Sequence, residues 1–299
     1  MGAATRTAFE GRLFDAAAFL SPKPSGERLR QDFRELVLGH YEAAGRAFPW
    51  RETRDPWAIL VSEVMLQQTQ TDRVLPKYQA FMAAFPTPAA LAASSLERLL
   101  ALWSGLGYNR RALSLRRAAL ELAARAERGG PDFPRDAAGL ESLPGVGPYT
   151  SRAILAFAFD EPTAFIETNI RSVFLFHFFP GESGVADARI LPLVEASMDS
   201  RDPRTWYYAL MDYGVFLKRR HGNPNARSAH YAKQESFANS NRRVRGAVLR
   251  EIGEAGVVSL DDLAARLPFA RERVAKAVNE LAAEGFIAYR GESLRIGDR

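Results

Sequence analysis

The stretch Leu143-Pro144-Gly145-Val146-Gly147-Pro148-Tyr149-Thr150 constrains the fold more than any other part of the chain. It predicts a tight hairpin joining two helices. Gly145 and Gly147 open backbone conformations that a Cβ would forbid. Pro148 suits the first position of the next helix, where its missing N–H loses no partner. Such a turn aims the backbone N–H groups of Gly145, Val146 and Gly147 outward at a helix N-terminus, where the dipole favours an anion such as a nucleic-acid phosphate. Taken alone, the motif fits an ordinary corner between helices better. Two neighbouring patterns shift that balance, Ser62-Glu63-Val64-Met65-Leu66-Gln67-Gln68-Thr69 upstream and Phe165-Ile166-Glu167-Thr168-Asn169-Ile170-Arg171 downstream.

The rest of the main body is patterned for helices. Residues 1–28 read as a loosely patterned lead-in broken by Ser21-Pro22-Lys23-Pro24-Ser25-Gly26. Helical apolar spacing then runs over 29–47, 57–69, 72–85, 88–93, 95–103 and 109–127, with Ser94 or Ser95 available as a cap. Arg128-Gly129-Gly130-Pro131 is a stop, and beyond the hairpin the helices resume at 148–159, 168–180, 187–200 and 203–217. Strand-like alternation is nearly absent before residue 250, so the body is all-α. The last sixty residues read differently. A helix over 244–254, another from Ser259 with Asp262 in capping-box position, a third over 270–284 ending at Gly285, and a short hairpin about Gly291 describe a winged helix. Such a module either contacts DNA or serves as a docking element. The expected domains are the lead-in 1–28, a core over 29–239, and a winged helix over 240–299.

Charge is unevenly placed. Residues 1–213 hold 24 Lys/Arg and 25 Asp/Glu, residues 214–245 hold 8 and 1, and residues 246–299 hold 8 and 9. The net excess of +5 therefore sits in the middle stretch, which includes Lys218, Arg219, Arg220, Arg227, Lys233, Arg242, Arg243 and Arg245. That stretch is either a solvated linker or a phosphate-binding segment. The chain has no cysteine, which excludes disulfides and Cys-ligated metal or iron–sulfur centres. No metal or other cofactor is expected. No apolar run of membrane-spanning length and no secretory leader is read, so a cytoplasmic monomer that avoids membranes is expected.

Five segments in order resemble the helix-hairpin-helix (HhH-GPD) DNA glycosylases, and among these the MutY-like adenine DNA glycosylases. They are Phe48–Arg51, Ile59–Gln70, Trp103–Tyr108, Leu143–Thr150 and Ala209–Gly214, together covering roughly residues 48–215. The resemblance implies a two-lobed helix-hairpin-helix glycosylase fold with double-stranded DNA as partner. It also implies base flipping followed by hydrolysis of an N-glycosidic bond. Glu63 matches the group that protonates the departing purine and helps activate water, and its apolar helical setting suits a general acid. Glu167 matches the second carboxylate, which would stabilise positive charge on the sugar, with Asn169 beside it. Gln68 matches a residue that wedges into the gap left by the flipped nucleotide, and Thr69 follows it. Tyr108 matches a ring that stacks beside the opposite base. Tyr149 stands where bifunctional relatives carry a Schiff-base lysine, which implies no imine and no strand cleavage.

The chain departs from the family pattern in three places. Glu167 replaces the usual Asp, with about 1.5 Å of extra reach. Lys218, Arg219 and Arg220 follow the Met211-Asp212-Tyr213-Gly214 motif where a four-cysteine cluster is usual, which implies a DNA-contacting surface in its place. A winged helix stands where the MutY group carries its reader of oxidised guanine. Adenine is the favoured excised base. The alternatives are a damaged or deaminated pyrimidine, or a non-catalytic DNA-binding protein on the same scaffold.

Overall fold

The computed structural model describes residues 11–130, 133–232 and 240–298. In chain order the helices are α1 (Ala16–Leu20), α2 (Pro24–Ala44), α3 (Pro56–Leu66), α4 (Thr71–Ala84), α5 (Pro88–Ala92), α6 (Leu96–Trp103), α7 (Arg110–Glu127) and α8 (Ala137–Glu141). Then come α9 (Pro148–Phe159), α10 (Thr168–Phe178), α11 (Asp187–Ser197) and α12 (Pro203–His221). The C-terminal elements are α13 (Asn241–Ala255), β1 (Val258–Ser259), α14 (Leu260–Arg266), α15 (Arg271–Ala283), β2 (Ile287–Arg290) and β3 (Ser293–Ile296). The chain divides into two compact units, one of Met1–Pro56, Arg135–Ala138 and Gly147–Lys233, the other of Trp57–Pro134, Gly139–Val146 and Gln234–Arg299. The position expected for the start of the winged helix, at 239/240, borders residues outside the described set.

The first unit is built around aromatic rings. Phe14, Phe19, Phe33, Phe174 and Phe178 are all buried, and Phe33 meets Trp206 edge-on at 6.1 Å. Phe14 and Phe19 show that the described part of the expected lead-in is packed structure. Asp15 caps α1 by accepting from the Ala18 amide at 2.6 Å, and α2 begins at Pro24, earlier than the expected Leu29. The physical reason is that Pro24 takes the first turn of the helix, where proline is compatible with a helix start and does not break it. His177, buried on α10, pairs with the Arg12 carbonyl at 2.6 Å and the Tyr213 hydroxyl at 3.0 Å. Burial holds its pKa down to about 4, so the imidazole is neutral at pH 7.

Asp212, on the same unit's α12, accepts from three sources. They are the Arg46 amide at 2.7 Å, the Arg46 guanidinium at 2.7–2.8 Å, and both terminal nitrogens of Arg51 at 2.9 Å. Two residues on, a Cβ at Gly214 would sit 2.3 Å from the Asn169 carbonyl oxygen, so only glycine lets α12 lie this close to the start of α10.

In the second unit α3 is buried along nearly its whole length, from Trp57 to Met65, and Trp57 donates to the Phe85 carbonyl at 3.0 Å. Ser95 caps α6 through the Arg98 amide at 3.2 Å, one of the two expected caps. The C-terminal helices carry a three-stranded antiparallel sheet of order β1-β3-β2, with Val258 opposite Leu294 and Ile287 opposite Ile296. That is a winged helix. Strand β1 has no counterpart in the sequence reading, because two residues are too short to show alternation and Ser259 doubles as the cap of α14. Among the described residues no helix is long and apolar enough to cross a membrane.

Candidate active site

Each unit carries some of the expected site residues. In the second unit Glu63 lies on α3 with 6% of its surface exposed, among Ile59, Leu60, Val64 and Met65. A carboxylate in such a setting is desolvated, and the sequence placed it there correctly. The helix stops at Leu66, short of the expected Thr69, because Gln68 takes a left-handed conformation with φ 55°. That turn leaves Gln68 exposed at its tip.

Arg111 holds the turn and is the residue that sequence reasoning missed. Its guanidinium donates to the carbonyls of Val64 at 2.8 Å, Met65 at 3.0 Å and Gln67 at 2.6 Å, and to Thr69 Oγ1 at 3.1 Å. The same group reaches the Gly107 carbonyl at 3.1 Å and, through Nε, the Tyr108 carbonyl at 3.4 Å. One side chain thus fixes both the Gln67–Thr69 turn and the Leu106–Tyr108 loop, and Thr69 faces Arg111 with its hydroxyl. Burial lowers the Arg111 pKa to about 10, still cationic at neutral pH. In sequence the only hint was an arginine directly after Asn109-Arg110 at a helix start.

Gly145 is left-handed at φ 85°, and a Cβ there would meet Ser114 Cβ at 2.6 Å. Glycine is therefore needed twice over at this position. Gly147 differs from expectation, because its φ of −102° suits any residue and open space surrounds the missing Cβ. The Val146 amide, expected to face an anion, instead donates to the Leu143 carbonyl at 3.1 Å, and the side chain is buried. A turn has to satisfy its own backbone before it can offer amides to a ligand.

In the first unit Glu167 is the N-cap of α10. Its Oε1 accepts from the amides of Asn169 and Ile170, each at 2.7 Å, and Oε2 accepts from Asn169 Nδ2 at 3.1 Å. The extra methylene is spent folding the carboxylate back onto its own helix. Desolvation raises its pKa, against the two amides, Arg171 and Lys218, which lower it. Tyr149, at the start of α9, meets Phe165 edge-on at 5.6 Å.

Lys218, Arg219 and Arg220 form the exposed last turn of α12, where cations complement the helix dipole. Other members of the basic stretch are committed internally. Arg227 donates to the carbonyls of Leu175 at 2.8 Å and Phe179 at 2.5 Å. Arg245 pairs with Glu280 at 3.1 Å and Glu284 at 2.6 Å. Arg242 donates to the Tyr108 hydroxyl. Lys233 lies outside the described residues. Among those described, no group of three or more His, Asp or Glu side chains could hold a metal ion.

These features lie largely within a stretch that matches a known domain model. Residues 61–191 match the HhH-GPD superfamily base excision DNA repair protein. The matched segment includes Glu63, Tyr108, the Gly145–Gly147 turn, Tyr149 and Glu167. An adenine DNA glycosylase of Mycolicibacterium smegmatis is 37% identical over 182 residues, covering 60% of this chain and 61% of that protein. One of Mycobacterium tuberculosis is 41% identical over 154 residues, covering 51% and 49%. The chain thus matches about half to three fifths of the length of these curated relatives. Among solved structures, that of a thermostable thymine-DNA glycosylase superposes with a TM-score of 0.56 at 26% identity, covering 63% of this chain and 87% of that one.

Proposed function

We propose that the HhH-GPD domain makes this chain a monofunctional DNA N-glycosylase that flips adenine from a mispair in duplex DNA and hydrolyses its N-glycosidic bond. The observation that supports this most is the burial of Glu63 on the apolar α3, inside a domain whose curated relatives are named adenine DNA glycosylases. Glu63 gives its proton to the leaving purine as the bond from the sugar breaks. The Glu167 carboxylate is the group assigned to offset the positive charge that develops on the sugar. Water adds at the anomeric carbon and returns a proton to the Glu63 carboxylate, leaving free base and an abasic site. Gln68 fills the vacated space, Tyr108 stacks beside the opposite base, and the backbone at Gly145 and Gly147, without the Val146 amide, receives a phosphate. In this reading the enzyme acts as a cytoplasmic monomer.

A panel of single-lesion duplexes treated with alkali after incubation tests the substrate. The expected result is cleavage at adenine in mispairs, without dependence on oxidised guanine opposite. Activity only on adenine opposite oxidised guanine would mean that a reader for that base exists elsewhere in the chain. The likeness to a thymine-DNA glycosylase favours a pyrimidine as the second reading, and the same panel separates the two. Borohydride added during turnover should trap no protein–DNA adduct, since Tyr149 offers no amine. A stoichiometric adduct would overturn the monofunctional reading.

The exposed end of α12 is the segment proposed to meet phosphates. Neutralising Lys218, Arg219 and Arg220 together should flatten the slope of log K against log salt by about 2–3 units. An unchanged slope would show the triplet to be merely solvated.

A further inference from the structure

The ring of Tyr108 is held from the winged helix. Tyr108 has φ 48°, a left-handed conformation that costs a bulky residue energy unless its surroundings impose it. Arg111 stands 5.3 Å from the ring centroid, and the Arg242 guanidinium 4.9 Å from it while donating to the hydroxyl. Arg242 belongs to the first turn of α13, the opening helix of the winged helix. That helix is anchored close by. Glu284 accepts from Arg245 of α13 at 2.6 Å and from Arg110 of α7 at 2.7 Å, and Arg110 is two residues from Tyr108. Arg110 and Arg245 hold the Glu284 carboxyl down at about 2, so this link stays charged at neutral pH.

We propose that Arg242 is a positioning residue that sets the pose of Tyr108, so that the winged helix governs discrimination of the base opposite the excised one. The inference rests on the reading of Tyr108 as the residue that stacks beside that base. A guanidinium locked on the hydroxyl fixes the ring plane before DNA arrives. Removing it frees the ring to rotate and weakens the difference between correct and incorrect opposite bases more than it weakens binding as a whole.

The test compares the full chain with Y108A, Y108F, R242Q and the R242Q/Y108F double variant. Single-turnover base release is measured with each of the four bases and oxidised guanine opposite the excised base. Affinity for the same duplexes, measured in the E63Q background, reads discrimination without turnover. R242Q and Y108F should each narrow discrimination roughly threefold to tenfold, and the double variant no further, as coupled contact pairs behave. The salt slope should not change. Equal effects of R242Q in the Tyr and Phe backgrounds would place Arg242 on the DNA itself and overturn the proposal. Discrimination intact in R242Q but lost in Y108A overturns it while leaving the Tyr108 reading in place. Discrimination intact in Y108A overturns both. Should R242Q fail to fold, Y108F carries the same prediction alone, because it removes only the hydroxyl that Arg242 holds.

Discussion

Replacing Glu63 by Gln should slow single-turnover base release by at least ~10²-fold, the lower range for losing a general acid, while duplex affinity survives. The two side chains have nearly the same volume, so the packing of α3 around Trp57, Leu60 and Val64 is undisturbed. Only the transferable proton is lost. Adenine leaves poorly as an anion, and protonation of its ring is what lets the bond to the sugar break. Quench-flow on a single-lesion duplex measures the rate, and fluorescence anisotropy with the same duplex measures the affinity. If the Gln variant keeps most of its activity, the general acid lies elsewhere. If affinity collapses along with rate, Glu63 is structural.

Replacing Asp212 by Ala should cost about 3–5 kcal/mol of stability, because it leaves buried cations without their partner. Arg51 bears most of this, since its side chain is 8% exposed, whereas Arg46, at 29%, is better placed to find water. The melting temperature should fall by roughly 10 °C or more, on the usual scale for a domain of this size. A shift of only a degree or two would mean that the Arg46–Asp212–Arg51 lock holds little.

The pH dependence follows from the same site. Burial alone would raise the Asp212 pKa, but hydrogen bonds and charge from Arg51 and Arg46 outweigh it and hold it below the usual value of 3.8. A carboxyl depressed in the folded state adds stability that is full above its unfolded pKa and is lost as pH falls through the folded one. The difference in melting temperature between wild type and D212A should therefore be constant near neutrality and shrink below about pH 4. The lock also bears on the site. Asp212 and Gly214 share one turn of α12, and Gly214 lies against Asn169, so loosening that turn releases the N-terminus that Glu167 caps.

Much of this protein is legible in its sequence, because helices and turns are local. The apolar spacing marks α3 as buried, and that burial already separates Glu63 from an ordinary surface glutamate. Leu143–Thr150 announces its hairpin, Gly285 marks the end of the helix before the wing, and Gly291 marks the turn within it. Those signals are written within a few residues, at the length over which backbone preference and periodicity act. Tertiary structure decided the rest. Arg111 serves two loops that lie 42–47 and 3–5 residues from it along the chain. Arg242 meets Tyr108 across 134 residues. Gly147 and Gly145 look equivalent in sequence, yet only Gly145 faces a neighbour, Ser114, that would clash with a Cβ. Glu167 reads as a second carboxylate, and only the fold shows it turned onto its own helix N-terminus. Periodicity states which face of an element is buried. Which residue from a distant element meets that face depends on close packing of the whole chain, and no local pattern encodes it.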